Sequence, residues 1–183
     1  MEVAVLCNDA FIENPKDELE EWKIYGSPTE KALLLAGTQA GLNKENLEER
    51  INRLDVVPFD SSKKYMITLH RYNSKSNLLF LKGAPEKILD LCSALHHRNE
   101  EIELDERTRH KIIRELAKIS SQGFRVIGMA YRDTPGDISR IDDDLMKDCI
   151  FIAAAVIYDP PKDEVKDTIT NAHSANIHVV MIT

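Results

Sequence analysis

Two basic segments contain the residue types that hold a phosphorylated ligand. The first, Lys82-Gly83-Ala84-Pro85-Glu86, closes an apolar run and opens a helical pattern. Glycine lets the backbone approach a ligand closely, proline suits the first turn of a helix, and Lys82 places a cation at the strand end. This stretch therefore predicts a strand-to-helix turn that binds a phosphate. The alternative is a turn that binds no ligand.

The second basic segment is Pro58-Phe59-Asp60-Ser61-Ser62-Lys63-Lys64. An aromatic ring at a strand end can stack on a nucleobase, and Lys64 would then lie near the phosphates. The alternative is that Phe59 belongs to the core and both lysines are solvated. Arg125 is a third candidate, and its alternative role is to bind the carbonyl groups at a helix end.

Several other kinds of site lack their characteristic patterns. The chain has no Gly-x-x-x-x-Gly-Lys loop, no Gly-x-Gly-x-x-Gly fingerprint, and no Ser-His-Asp or Cys-His arrangement with any specificity. Cys7, Cys92 and Cys149 have no zinc-site spacing, and His96-His97 is interpreted as a loop pair. Asp142-Asp143-Asp144 is interpreted as a solvated acidic loop, so we expect no metal site.

Charge and hydropathy limit the partners. The 183 residues have a formal net charge of −7, which argues against nucleic acid because that partner requires clustered positive charge. The longest apolar run, from Cys149 to Tyr158, is too short to span a bilayer. We therefore expect neither nucleic-acid binding nor membrane insertion, and a reduced cytosolic setting for the cysteines.

The elements that must position these residues are helices and short strands. In Gly26-Ser27-Pro28-Thr29-Glu30, serine is a favourable helix cap and Glu30 follows it by three residues. Helices are predicted from here to about residue 40, and at 42–51, 85–92 and 105–122. Strands are predicted at 53–59, 65–72, 77–82, 124–132 and 150–158, a short helix or strand at 3–10, and loops at 13–21 and 96–101. Short polar connections indicate hairpins, so the predicted fold class is α+β, an antiparallel β-sheet flanked by helices.

The composition changes at Asp159-Pro160-Pro161. Two successive prolines restrict the backbone and remove two hydrogen-bond donors, which predicts a stiff boundary. Beyond it, Lys162 to Ala175 is predicted as a helix and His178 to Ile182 as a buried strand, the repeat unit of a parallel α/β domain. We therefore predict one domain over residues 1–158 and a hinge with a short α/β remnant of a second domain over residues 159–183.

The order of the motifs resembles that of P-type cation-transporting ATPases, in the branch of the calcium and sodium/potassium pumps. The resemblance covers the whole chain, and several ordered motifs are more specific than any one alone. They are Gly26-Ser27-Pro28-Thr29-Glu30, Pro58-Phe59-Asp60-Ser61 with Lys63-Lys64 and Met66, Lys82-Gly83-Ala84-Pro85-Glu86, Arg125-Val126 and Asp159-Pro160-Pro161-Lys162.

The resemblance implies the nucleotide-binding domain of such a pump. In the family, the residue matching Phe59 stacks on adenine, the lysine matching Lys82 lies deep in the adenine pocket, and the arginine matching Arg125 reaches the phosphates. The implied nucleotide-binding residues are Phe59, Lys64, Lys82, Gly83, Glu30, Thr29 and Arg125. Asp159, Pro160, Pro161 and Lys162 are implied to form the hinge to the phosphorylation domain.

The chain also departs from the family pattern. Ser27 stands where aspartate is usual, Lys162 stands where arginine is usual, and no Asp-Lys-Thr-Gly-Thr segment is present. The resemblance therefore implies that this segment binds ATP without turning it over and carries no catalytic residue of its own. The γ-phosphate would pass to an aspartate on the phosphorylation domain, with magnesium in the parent enzyme.

The implied partners are ATP and the phosphorylation, actuator and transmembrane domains of a parent pump, on the cytoplasmic side of its membrane. Two alternatives remain open at this point. One is a phosphatase-like hydrolase, which would need a nucleophilic aspartate at a strand end. The other is a non-catalytic regulatory domain of the same fold.

Overall fold

The computed structural model describes residues 1–98 and 100–182. Over these residues the helices are α1 (Glu2–Leu6), α2 (Pro28–Gln39), α3 (Lys44–Arg50), α4 (Pro85–Asp90), α5 (Glu106–Ser120) and α6 (Val165–Ser174). The strands are β1 (Phe11–Ile12), β2 (Ile24–Tyr25), β3 (Arg53–Asp60), β4 (Tyr65–Arg71), β5 (Ser76–Gly83), β6 (Cys92–His97), β7 (Glu100–Glu103), β8 (Arg125–Pro135) and β9 (Cys149–Ile157). A 3₁₀ helix covers Leu19–Glu21.

A seven-stranded sheet in the described part of the chain has the order β3-β4-β5-β8-β9-β6-β7. The hairpins predicted for the first three strands are confirmed, since β3, β4 and β5 pair in sequence and antiparallel. Strands β6 and β9 pair in parallel, and the other neighbours pair antiparallel. The prediction of a wholly antiparallel sheet is therefore wrong at this one pair. The long connection from β6 to β9, which includes α5 and β8, allows the parallel arrangement.

Alternating side chains on the central strands build a hydrophobic cluster on each face of the sheet. Met66 on β4 and Phe80 on β5 belong to the cluster that also contains the apolar residues of α1 and α2. Ile67, Leu79 and Leu81 point the other way, into the cluster beneath α4 and α5. The period of two therefore places both faces of β4 and β5 in apolar surroundings.

The predicted helix starts are confirmed at α2 and α4. The Ser27 hydroxyl accepts a hydrogen bond from the Glu30 backbone N–H at 3.3 Å, and Pro28 occupies the first turn. In α4, Pro85 occupies the first turn. A capped first turn fixes where each helix begins, and both starts lie beside the cleft described below.

The region of 85–101 departs from the prediction. Helix α4 ends at Asp90 rather than at Cys92, and His96 and His97 lie on strand β6 rather than in a loop. The reason is tertiary, because this segment has a strand on each side: Cys92 lies opposite Cys149 of β9, and His96 lies opposite Glu101 of β7. Pairing with a neighbouring strand overrides the weak local propensity.

The segment His178 to Ile182 does not form the predicted strand. It has no strand partner in the part of the chain that the structure describes, and Met181 and Ile182 are 85% and 93% exposed. A strand of a parallel sheet is buried only when neighbouring strands pair with its edges and helices cover both faces of the sheet. The prediction of a helix before it is confirmed in part, since α6 begins at Val165.

His70 is a buried polar residue, the last but one of β4. Its Nδ1 lies 3.2 Å from the carbonyl oxygen of Ile51, and a carbonyl only accepts, so Nδ1 carries the hydrogen. Among the described residues Nε2 has no hydrogen-bond partner. Burial lowers the pKa of His70 to about 4, against a smaller opposing effect of the Ile51 hydrogen bond. A proton on Nε2 would therefore be buried without an acceptor.

We expect the free energy of unfolding to fall as the pH drops from about 6.5 to about 4, by about 3 kcal/mol from His70. The direction follows because the unfolded chain binds the proton in this range and the folded chain does not. Urea unfolding of the wild type and of His70→Gln at several pH values measures the difference. His110→Gln is the matched control, because that ring is exposed. Equal pH slopes for the wild type and His70→Gln would contradict the prediction.

Candidate functional site

A cavity of about 580 Å³ opens between the start of α2, the end of β3, the end of β5 and the start of β8. We call it the cleft. Six of the seven residues predicted to bind a nucleotide line it, namely Thr29, Glu30, Phe59, Lys82, Gly83 and Arg125. The seventh, Lys64, does not line it. Residues distant in the sequence are thus brought to one concave surface, which is the usual form of a ligand site.

Phe59 presents its ring to the cleft because the edge strand β3 bulges there. The pairing of β3 with β4 shifts between Val57 and Asp60, where β3 has one residue more than its partner. Pro58 lies inside this shift, and a proline is tolerated at such a place because it offers no N–H to the ladder. Phe59 is 62% exposed, so it is not the core aromatic of the alternative interpretation. Its face is free to stack on a planar ligand.

Lys82 and Glu30 form an ion pair inside the cleft. Lys82 Nζ lies 2.9 Å from Glu30 Oε1, and the two side chains are only 8% and 17% exposed. The same carboxylate oxygen accepts from the backbone N–H of Asp9 at 3.2 Å, and Ser27 Oγ donates to Oε2. Several partners therefore hold the Glu30 carboxylate in place, and this carboxylate compensates the largely desolvated charge of Lys82.

Burial by itself would raise the pKa of the Glu30 carboxyl. The hydrogen bond and the positive charge of Lys82 outweigh burial, so the pKa lies below its ordinary value. Glu30 is therefore ionised at neutral pH. A carboxylate beside an ammonium group offers a ligand one acceptor and one donor side by side.

Gly83 is required by the close approach of strands β4 and β5. A Cβ at this position would overlap the Lys64 carbonyl oxygen and lie 2.7 Å from the Tyr65 Cα. The Lys64 carbonyl also accepts from the Ala84 N–H at 2.9 Å, and Lys64 itself has a positive φ of 63°. In the structure Lys64 thus contributes its backbone to the turn, while its side chain is exposed outside the cleft.

Arg125 and Thr29 meet at the other end of the cleft. Arg125 Nη1 donates to Thr29 Oγ1 at 2.6 Å, a bond that links the start of β8 to the first turn of α2. The guanidinium does not bind carbonyls of the preceding helix in the structure, which was the alternative role. It is exposed and keeps further donors for an anion.

Five residues that line the cleft were not among the predicted nucleotide-binding residues. Ser27, Pro58 and Met66 belong to the motifs quoted above, whereas Asp9 and Ile127 belong to none of them. Asp9 follows α1 and is fixed by Arg53, whose Nη1 lies 2.7 Å from Asp9 Oδ1. The polar Asn8-Asp9 pair after an apolar run was the available signal. Ile127 lies two residues after Arg125 on β8, so the strand period places both side chains on the same face.

The four predicted hinge residues follow β9. Asp159 lies beside a small cavity of about 280 Å³ that Thr29 and Arg125 also line, so the start of this segment adjoins the cleft. Pro160, Pro161 and Lys162 are exposed. Tyr158 packs against Phe124 with ring centroids 5.2 Å apart, which ties the segment to the residue before Arg125.

Comparison with known proteins assigns this arrangement to a family. Residues 1–164 match the family model described as P-type ATPase, cytoplasmic domain N. The chain belongs to this family. The predicted resemblance is thereby confirmed, and the match includes every residue of the cleft.

Three relatives illustrate the relationship of this cytoplasmic domain N. Calcium-transporting ATPase 1 of Bacillus cereus is 37% identical over 185 residues, which cover 100% of this chain and 20% of that protein. Calcium-transporting ATPase lmo0841 of Listeria monocytogenes is 31% identical over 99% of this chain and 20% of its own length. The sodium/potassium-transporting ATPase subunit alpha-4 of Rattus norvegicus is 29% identical over 99% of this chain and 19% of its own length.

The chain spans about a fifth of the length of these relatives. No helix in the described part of this domain N is long and apolar enough to cross a membrane.

Proposed function

We propose that this chain is the ATP-binding domain of a cation-transporting P-type ATPase. In this proposal the adenine stacks on Phe59 and reaches the Lys82–Glu30 pair, and the phosphates extend towards Arg125. The observation that carries the proposal is one cleft of about 580 Å³ that combines an exposed aromatic ring, a buried ion pair and an exposed guanidinium. These groups match a planar base with donors and acceptors on its edge, followed by an anionic tail.

Each group in the cleft has a separate task. Phe59 supplies area for stacking, and the Lys82 ammonium and Glu30 carboxylate supply a donor and an acceptor for the polar edge of the base. Arg125 exchanges its bond to Thr29 for phosphate oxygens, because a charged acceptor binds a guanidinium more strongly than a hydroxyl does. Gly83 lines the cleft and allows strands β4 and β5 to approach each other closely there.

The affinity expected from these contacts is weak. Stacking on one aromatic residue contributes about 1–3 kcal/mol, and the ordering of ligand and side chains opposes binding by several kcal/mol. With the polar and phosphate contacts included, we expect a Kd of roughly 0.1–1 mM, a net binding free energy of about −4 to −5.5 kcal/mol.

Phosphoryl transfer would take place on another domain of the parent pump. We propose that residues 1–158 hold ATP and that residues 159–183 contain the hinge and the first unit of the phosphorylation domain. The γ-phosphate would pass to an aspartate of the phosphorylation domain that is not among residues 1–183, and would form an aspartyl phosphate. This chain would bind ATP without turnover, on the cytoplasmic side of the membrane, and the actuator and transmembrane domains would complete the pump.

Magnesium would be needed by the parent enzyme rather than held by this chain. Among residues 1–98 and 100–182, no three His, Cys, Asp or Glu side chains are placed together to hold a metal ion. We therefore assign no step on this chain to a metal. The cation would arrive with the nucleotide phosphates.

Phe59→Ala is expected to weaken ATP binding by about 5- to 150-fold, because it removes the stacking surface. The free energy of unfolding should change little, since the side chain is largely exposed. Backbone NMR titration with ATP measures both the affinity and the residues affected. Phe11→Ala is the matched control, because Phe11 is a similarly exposed phenylalanine that does not line the cleft.

Saturable shifts centred on Phe59, Lys82 and Arg125, lost in Phe59→Ala and kept in Phe11→Ala, would support the proposal. The absence of shifts at 10 mM ATP would instead favour a regulatory domain of the same fold that lacks ligand binding. Hydrolysis of a generic phosphate ester by the pure chain would favour the phosphatase-like alternative.

A further inference from the structure

Strand β7 forms one edge of the seven-stranded sheet and has no strand on its outer side among the described residues. Its inner side pairs with β6, from Ala94 opposite Glu103 to His97 opposite Glu100. All four residues of β7 are exposed. An edge of this kind presents unpaired backbone N–H and C=O groups and can accept an additional strand.

A groove of about 380 Å³ lies beside this edge, between the β6–β7 hairpin and α5. Four apolar residues line it, Leu95, Ile102, Ile112 and Leu116, together with His97, Thr108, Lys111 and Glu115. Ile102 is 41% exposed, and α5 contains no fully buried residue although Ile112 and Leu116 pack partly against the core. The apolar face of the helix is thus only partly covered.

The two faces of β7 differ in chemistry. Ile102 shares its face of the strand with Glu100, and of these two only Ile102 lines the groove. Glu101 and Glu103 lie on the opposite face by the strand period, where Glu101 accepts a hydrogen bond from the Tyr131 hydroxyl at 2.7 Å. A strand added to this edge would therefore place alternate side chains over an apolar groove and beside two carboxylates.

Protection of the sheet edge accounts for only part of this arrangement. Charged residues on an edge strand hinder pairing with a like-charged copy, and the glutamates serve that purpose. An exposed isoleucine above an apolar groove has the opposite effect, because it favours burial. Together, the glutamates and the exposed isoleucine disfavour pairing of β7 with a second copy of the same acidic strand. They favour pairing with a segment that carries positive charge.

We infer that the edge of β7 and the adjoining groove form a docking site for an extended segment of a partner protein in which basic and apolar residues alternate. The segment pairs with the β7 backbone. Its apolar side chains occupy the groove beside Ile102, and its lysine or arginine side chains lie against Glu101 and Glu103. This site is separate from the cleft and does not depend on nucleotide binding.

The test uses the full chain and a fluorescent six-residue peptide of alternating lysine and valine. The control peptide has the same composition in two blocks, three lysines followed by three valines. We expect saturable anisotropy and backbone NMR shifts at residues 100–103 with the alternating peptide, and at least tenfold weaker binding of the block peptide. Ile102→Lys should abolish binding of the alternating peptide.

Two further variants sharpen the test. Val56→Lys on β3, the other edge of the sheet, should leave the affinity unchanged, since Val56 has comparable exposure but does not line the groove. Glu101→Lys/Glu103→Lys should lose the lysine-valine peptide and gain an alternating glutamate-valine peptide. Equal binding of both lysine peptides, shifts away from β7, or concentration-dependent self-association through β7 without peptide would each overturn the inference.

Discussion

Lys82→Met is expected to lower the free energy of unfolding by about 3 kcal/mol and to remove measurable ATP binding. The substitution keeps the length and apolar stem of the side chain but leaves the Glu30 carboxylate, 17% exposed, without its cation. An uncompensated charge in such a place is strongly destabilising. Chemical denaturation at neutral pH measures the loss of stability, and NMR titration with ATP measures the loss of binding.

A double variant separates the two effects. Lys82→Met/Glu30→Gln removes both charges, and the glutamine oxygen can still accept from the Asp9 N–H. We expect it to recover most of the lost stability, because a neutral pair needs no charge compensation, but not ATP binding, because the polar edge of the base has lost its donor. A double variant as unstable as the single one would contradict this account of the pair.

The pH dependence of the single variant provides a further check on the same prediction. In the wild type, Lys82 keeps the pKa of Glu30 below its ordinary value, so the pair contributes stability that is lost as the pH falls through that lowered pKa. Without Lys82, burial is opposed only by the hydrogen bonds from the Asp9 N–H and the Ser27 hydroxyl, so the pKa of Glu30 rises. The difference in the free energy of unfolding between the wild type and Lys82→Met should therefore become smaller as the pH falls.

Gly83→Ala is the second substitution with a large expected effect, a loss of about 3 kcal/mol in the free energy of unfolding. The added Cβ meets the Lys64 carbonyl oxygen and the Tyr65 Cα, which are backbone atoms and cannot rotate away. Strands β4 and β5 must separate at the floor of the cleft, so ATP binding should also weaken. Denaturation and ATP titration of the variant measure both losses.

Gly41→Ala is the control for this substitution. Gly41 has a φ of 85°, and a Cβ there meets no atom within 4 Å, so the change adds backbone strain of about 1 kcal/mol without a clash. It should leave ATP binding unaltered. If Gly83→Ala is no more destabilising than Gly41→Ala, the strands are not held as closely as the structure indicates.

The elements of the fold could be predicted where their signals are local. Ser27 and Pro28 mark the start of α2 within the four residues from Ser27 to Glu30. The polar connections between β3, β4 and β5 indicate hairpins, and this signal does not depend on the rest of the chain. Helix caps and hairpin turns are determined by interactions within a few residues, so a short stretch of sequence is enough to predict them. The parallel pairing of β6 with β9 depends on strands that are distant in the sequence, and no local pattern predicts it.

The cleft was harder to predict from residue patterns than the helices and strands were. Nothing in the segment around Lys82 identifies Glu30 as its partner, and the resemblance to the pumps, rather than spacing, grouped these residues with Phe59 and Arg125. The bulge that exposes Phe59 had one signal, Pro58. The position of Lys64 could not be predicted, because whether a turn residue contributes its side chain or its carbonyl depends on strands β4 and β5 meeting at Gly83.

The strand order also has a consequence for how the molecule folds. Strands β3 to β5 and the β6–β7 hairpin consist of sequence neighbours, whereas β8 and β9 enter the sheet between them. Closing such long loops is entropically unfavourable, so these central pairings form slowly and after the hairpins. Arg125 and Ile127 lie on β8, whereas the other residues of the cleft come at or before Gly83. The part of the cleft formed by Arg125 and Ile127 is therefore added last. A nascent chain has no complete cleft until β8 has been synthesised and has entered the sheet.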